Sequence, residues 1–368
     1  MLNNLIKKLP KIKDFRKEKG KRHQLPIVII IMILGNMLGF MSYRALGDFT
    51  KYYKKQLCSL LKVSSGKLPS YSTMRRVALG IDNEELIEQF NQWGKELMNR
   101  DEIDDCFAID GKSLRNTLTE VFNKEQNFVT FSSLFDLANG LVLKIKSYEN
   151  KKTSEIEETQ ELLNDVPIKN KTFSLDALHC QKETIRIIIE SNNHYLIPVK
   201  KNQRNLYNSV EKVMEETPAK TVDVQQDNSH GRKITRQVSV WDNYQKLPEK
   251  IIDKFQEIKN IIKVKRSGIR GKKQYEEIVY YISSKLETAT EVAKKIRNHW
   301  RIENQLHWVK DVVMEEDKSL IKNKKAAINI SVIKTIGINF FRLLKFESIT
   351  EGRRWLGANL SGFFAFLK

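Results

Sequence analysis

Apolar and polar positions along the chain change period twice. The most apolar stretch, LPIVIIIMILGNMLGFM at residues 25–41, predicts a helix buried on all sides. Its 17 residues, with Asn36 among them, fall short of the ~20 apolar residues that a membrane span needs. It follows a basic arm of 24 residues and no small-residue cleavage pattern comes after it, which argues against a signal peptide. Further helices are expected at about 42–62, 72–81 and 83–99, the one at 72–81 opened by the serines of PSYSTMRRVALG and the last by Asp82.

From about residue 104 the period becomes that of strands. CFAIDGK, FVTFSSLFDLA and LVLKIKSYE are β-rich, and Asn139-Gly140 between the last two is a strong hairpin signal. A helix at about 154–165, the strand KTFSLDA, the helix QKETIRIIIESN and the strand HYLIPVK follow. The order β-β-β-α-β-α-β predicts an α/β fold: a mixed sheet with helices on its faces. After a helix at about 203–216, residues 217–286 alternate as TVDVQQ, ITRQVSVW, IKNIIKVKRS and YEEIVYYISS, separated by the basic turns NSHGRK and GIRGKK. A helix starting at Thr288 and an apolar helix at about 324–345 complete the pattern, with no internal repeat or low-complexity linker. The expected divisions are therefore a helical region 1–100, a core 101–216 resumed at 287–345, a β-rich insertion 217–286 and a tail 346–368.

Composition adds a partner class. The 368 residues carry 64 Lys+Arg against 45 Asp+Glu, a net charge of +19, which suits a polyanion because each phosphate neutralised releases counterions. Arg75 and Arg76, at the start of the helix over 72–81, are candidate phosphate contacts, with a solvated face as the other reading. Cys58, Cys106 and Cys180 are too scattered for a C-x-x-C pair and point to a reducing cytoplasm.

Candidate chemistry lies in three acids. Asp110 ends the first β run before Gly111, and Asp176 ends the fourth; in a sheet of this order the two strands can lie side by side. Two hard oxygen ligands so placed suit Mg²⁺ or Mn²⁺, although either aspartate alone also reads as a turn or cap residue. Two metals would activate a water or 3′-hydroxyl and stabilise a leaving oxygen, and they need a third carboxylate. Glu303, in HWRIENQLHW, shares a helical stripe with His299, His307 and Lys310, so metal ligation or a salt bridge to Lys310 would accommodate it. A zinc site of His299, Glu303 and His307 is disfavoured, because the histidines stand two turns and about 12 Å apart. No G-x-x-x-x-G-K-[ST], G-x-S-x-G or G-x-G-x-x-G motif supports nucleotide or serine hydrolase chemistry.

FAIDGKSLRNT, LDALHCQKET, HYLIPVKKNQ, HGRKITRQVSVW and HWRIENQLHWVKDVVMEED, in this order, resemble the H-repeat-associated family of bacterial insertion-sequence DDE transposases. The similarity runs from about residue 10 to 345. It implies a ribonuclease H-like core, Asp110, Asp176 and Glu303 as metal-binding catalytic acids, and 217–286 as the insertion before the glutamate helix. DNA contacts are then expected at Lys112, Arg115, His179, Lys200, His299 and Lys310. Lys201 replaces an expected glycine, Asn116-Thr117 a Gly-Ser pair, and Ile296 and His299 the family's Tyr and Arg before the glutamate.

The resemblance implies a nucleoid-associated transposase that uses Mg²⁺, or Mn²⁺, on double-stranded DNA at transposon ends and target. Its helical region 1–100 would bind DNA, and the protein would act as a DNA-bound homodimer, with no membrane partner. A domesticated DNA-binding relative and a metal-dependent nuclease without strand transfer are the alternatives.

Overall fold

The computed structural model describes residues 2–100, 105–119, 126–164, 166–228, 234–270 and 273–365. Most of the basic turn NSHGRK, residues 271–272 of GIRGKK and the boundary expected at residue 101 lie outside the described residues.

The strands are β1 (Cys106–Thr119), β2 (Asn127–Asp136), β3 (Leu141–Glu149), β4 (Thr172–Ser174), β5 (His194–Val199), β6 (Thr221–Asp227), β7 (Ile234–Trp241), β8 (Asn260–Arg270) and β9 (Lys273–Ser283). They form one mixed sheet in the order β3-β2-β1-β4-β5-β9-β8-β7-β6. β1 is parallel to β4 and β4 to β5, while β2–β3 and β5–β9 are antiparallel. This is the mixed α/β sheet that the element order led us to expect and the ribonuclease H-like arrangement that the resemblance implies. The strands of 217–286 form no sheet of their own: β9 pairs Leu196↔Ser283 through Val199↔Tyr280 with β5, so the insertion lengthens the main sheet.

The β2–β3 hairpin turns through four residues, more than the two of Asn139-Gly140. Asp136 sets this length: its Oδ1 accepts from Ala138 N and Asn139 N, and Gly140 closes the turn at φ +69°.

The helices are α1 (Leu2–Lys8), α2 (Leu25–Met37), α3 (Tyr43–Tyr52), α4 (Lys54–Leu60), α5 (Tyr71–Gly80), α6 (Asn83–Met98), α7 (Glu155–Leu163), α8 (Lys182–Glu190), α9 (Arg204–Glu216), α10 (Glu249–Lys254), α11 (Ala289–His299), α12 (Lys324–Leu343), α13 (Ile349–Ala358) and α14 (Leu360–Ala365). Contacts divide the chain into two compact units. One comprises Met1–Ile103, Gly111–Ser154 and Ile302–Lys368, the other Asp104–Asp110 and Glu155–Arg301.

In the first unit, α12 is the central helix and packs on α2, α5, α6, α13 and β3. It is long and apolar enough to cross a membrane, yet 83% of its apolar window is buried, which makes it a core helix here. α2 is buried along nearly its whole length, as its unbroken apolar run requires. α6 starts where Asp82 accepts from Glu84 N and Glu85 N, and Gly94 lets it approach β3. A Cβ at Gly94 would lie 1.7 Å from Leu143 O, so no larger residue fits.

Two expectations change in this unit. The basic arm is partly helical, because Leu2, Leu5, Leu9 and Ile12 recur at helical spacing among the lysines and are buried. The stretch expected as a tail forms α13 and α14, pinned by buried Ile349, Leu356, Leu360 and Phe363.

The second unit is centred on α11. Thr288 caps it in a reciprocal capping box with Glu291. Its apolar face, Ala289, Val292, Ala293 and Ile296, packs on alternate residues of the sheet: Val238 and Val240 of β7, Ile262 and Val264 of β8, and Leu196 of β5.

Candidate active site

Within the second unit, β1 and β4 pair as Cys106↔Thr172, Phe107↔Phe173 and Ala108↔Ser174. Asp110 and Asp176 each stand two residues beyond the last of these pairs. Parallel neighbours in register carry their side chains on one face, so the two carboxylates belong to equivalent positions two residues past the paired segment. β4 has ended there, but β1 runs on through Gly111 to Thr119, so Asp110 lies within its strand and does not end it as the sequence led us to expect.

The chain stays extended through Asp176 (φ −81°, ψ 173°), which caps the 3₁₀ turn Ala177–His179: its Oδ1 accepts from Leu178 N at 2.8 Å. The cap role and a ligand role are compatible. The side chain is 50% exposed, and one oxygen anchors it while the other stays available.

α11 covers the face that these residues share. Lys295 Nζ donates to Thr172 Oγ1 at 2.8 Å, and one turn later His299 Nδ1 and Ser174 Oγ share a hydrogen bond of 2.9 Å. His179 is buried beside Asp176, its Nε2 3.8 Å from Asp176 Oδ1 and 3.7 Å from Glu155 Oε1, both beyond hydrogen-bond reach. The loop after β5 is tied to the Asp176 loop, Asn202 Nδ2 donating to Ala177 O and Gln203 Nε2 to Cys180 O. Lys200, at the start of that loop, is exposed.

Within the first unit, Glu303 opens a π-helical turn, Glu303–His307, followed by a second, Val309–Val313. The wider i→i+5 winding breaks the 100° spacing that put Lys310 on the stripe of Glu303. Glu303 pairs instead with His307, whose Nδ1 donates to Oε2 at 2.9 Å. That hydrogen bond, with smaller contributions from the charges of His307 and Lys112, outweighs burial and holds the Glu303 carboxyl below the usual range.

Lys310 is buried. Its Nζ donates to Ser331 Oγ at 2.7 Å, lies 3.6 Å from Glu316 and sits over the Phe131 ring. Lys112 of β1, also buried, meets Asp311 and lies 3.8 Å from Glu316, while the exposed Arg115 pairs with Asp317. Lys334 of α12 adds a third buried cation beside Glu316. Glu316, Asp311 and Lys334 escaped the sequence reading, although a lysine inside the apolar run of α12 was a visible signal.

Burial pushes the Lys310 amine down to about 8 from its ordinary 10.5, against the opposing pull of Glu316. Between those values the unfolded chain binds the extra proton, so this residue makes stability rise with pH from about 8 to 10.5, and the charged amine weakens the fold below 8. Urea midpoints at pH 7.5, 9 and 10 should therefore rise for the wild type relative to Lys310→Met. Parallel pH dependence in the two proteins would contradict this placement.

Residues 101–340 match the family model described as the transposase DDE domain, and residues 6–94 match the model of the region associated with it. The chain belongs to the DDE transposases. It is 32% identical over 353 residues to YbfL of Escherichia coli K12, covering 92% of this chain and 90% of that protein. The same identity over 353 residues, with the same coverage, relates it to YhhI of that strain, named as a candidate H repeat-associated transposase. YncI of Escherichia coli O157:H7, also a candidate transposase by name, is 32% identical over 357 residues, 93% of this chain and 88% of that protein. Family membership implies an enzyme of the polynucleotidyl-transferase type, a DNA substrate and a divalent metal.

Proposed function

We propose that this DDE transposase nicks the ends of its own insertion sequence and transfers the freed 3′-hydroxyl to target DNA, with Asp110, Asp176 and Glu303 holding divalent metal. The observation that carries the proposal is the β1–β4 register, which gives Asp110 and Asp176 equivalent positions on adjacent parallel strands. The partners of α11 support Glu303 as the third acid. Lys295 meets Thr172 and His299 meets Ser174, so four helical residues, about 6 Å, keep pace with two strand residues, about 6.6 Å. Glu303 follows four residues after His299, in the IEN motif to which the resemblance assigns the third acid.

The donor set fits Mg²⁺ or Mn²⁺, since all three ligands are hard carboxylates and Asp176 keeps one oxygen outside its cap bond. When bound, such ions activate the attacking oxygen and stabilise the leaving one. The chain's own part is to keep the acids charged and oriented: Leu178 N fixes Asp176, and His307 fixes Glu303 in its ionised form.

The exposed Lys200 and Arg115 are placed to meet phosphates, with Arg75 and Arg76 on the helical region. His299 holds the end of β4 through Ser174, and the buried His179 packs beside Asp176. Lys112 acts from a buried position, its charge helping to keep Glu303 ionised, whereas Lys310 is held by Ser331 and Glu316 and does not reach a phosphate. Holding two ends together calls for a DNA-bound dimer, working at the nucleoid.

A labelled duplex carrying one element end, incubated with the protein, Mg²⁺ and a target plasmid, tests the reading. Cleavage at the end followed by joined product is expected. Binding without cleavage would replace the transposase by a DNA-binding relative, and cleavage without joining by a nuclease.

A further inference from the structure

The first unit carries a basic groove that no catalytic residue enters. It lies between α3, the loop before α5 and the residues preceding α2, encloses about 650 Å³, and is lined by Arg22, Arg44, Lys51, Lys54 and Lys67, with His23 at its side. Asp48 is the one acid in the lining, and Lys51 pairs with it at 3.1 Å. The side chains of Arg22, Arg44, Lys54 and Lys67 are exposed and make no hydrogen bond or ion pair among the described residues.

Four cations that converge on one groove without internal counter-charges repel one another, and an external polyanion relieves that repulsion. The walls are preformed. Arg16, itself held by Asp14, donates to His23 O at 2.8 Å and fixes the chain beside Arg22. Thr50 Oγ1 of α3 bonds Gly47 O, with a longer contact of 3.4 Å to Pro69 O in the loop before α5.

We propose that this groove seats the sugar-phosphate backbone of duplex DNA, as an anchoring site separate from the acids. Arg44 and Lys51 stand two turns apart on α3, about 10 Å along its axis, so a single phosphate cannot satisfy the set and a run of phosphates can. Ser70 and Tyr71 at the start of α5 line the same groove and add hydroxyl groups suited to phosphate oxygens. The choice of DNA rests on the family's substrate class, and the groove needs no catalytic step to be detected.

The test measures affinity of the full chain for an element-end duplex without metal, across a salt series. Replacing Arg22, Arg44, Lys54 and Lys67 together by Gln should weaken binding at least about tenfold and flatten the log K against log salt slope by about 3–4, near 0.9 per lost contact. The single variants Arg44→Gln and Lys67→Gln should each lower the slope by about one. A matched set removing the same charge elsewhere, Lys212, Lys246, Lys250 and Lys294 to Gln, should leave the slope nearly unchanged. Equal losses from the two sets would overturn the groove in favour of diffuse charge, as would tighter binding of an RNA duplex of the same sequence. Because the readout is binding, a protein that binds here and fails to cut would sink the catalytic reading and leave the groove standing.

Discussion

Asp176→Asn is expected to lower Mg²⁺-dependent cleavage of an element end by at least about 10²-fold, the scale on which one lost electrostatic contact to a transition state acts. The same variant should bind that DNA without metal within about threefold of the wild type. The separation follows from the geometry of the side chain. Asparagine keeps the oxygen that accepts from Leu178 N, so the turn Ala177–His179 keeps its cap, and a half-exposed position incurs little penalty for the amide. Only the charge is lost, and with it a hard ligand. Cleavage at the wild-type rate would remove Asp176 from the chemistry.

Glu316→Gln should be the most destabilising single change proposed. Glu316 is buried opposite Lys310 and Lys112, at 3.6 and 3.8 Å, with the buried Lys334 close by. Burial alone would raise its pKa, but the charges of Lys310, Lys334 and Lys112 together hold it below the usual range. Neutralising it strands buried cations in a low-dielectric interior, a loss of about 3–5 kcal/mol for a broken buried pair. Asp317→Asn removes the neighbouring acid, whose partner Arg115 is 79% exposed, and should change stability by no more than about 1 kcal/mol. Adding Lys310→Met to Glu316→Gln should restore part of the loss, since one of the stranded charges is then gone. Urea unfolding of the three variants checks this, and equal losses for Glu316→Gln and Asp317→Asn would contradict it.

What could be read in advance was local. Asp82 and Thr288 mark helix starts because their side chains answer the first free amides, and both do so in the structure. The β-rich runs predicted the core strands, and the chain order allowed the side-by-side β1 and β4 whose register gives Asp110 and Asp176 equivalent positions. What was illegible depends on distant partners. The β5–β9 pairing links residues more than 80 positions apart, so the strands of 217–286 looked like a separate insertion.

The π-helical turns after Ile302 have no residue signature, and an ideal helical wheel therefore put Lys310 beside Glu303 when its partners are Ser331 and Glu316. The basic groove was hidden for a related reason. Its cations are spread from Arg22 to Lys67 with no charge run, and only the packing of α3 against α5 assembles them.

The central claim concerns metal at three carboxylates, and anomalous scattering tests it without relying on turnover. Crystals of the protein bound to an element-end duplex and soaked in Mn²⁺ should show two peaks about 3.5–4 Å apart, coordinated by Asp110, Asp176 and Glu303. Manganese bound elsewhere on the chain, with these three carboxylates bare, would contradict the account.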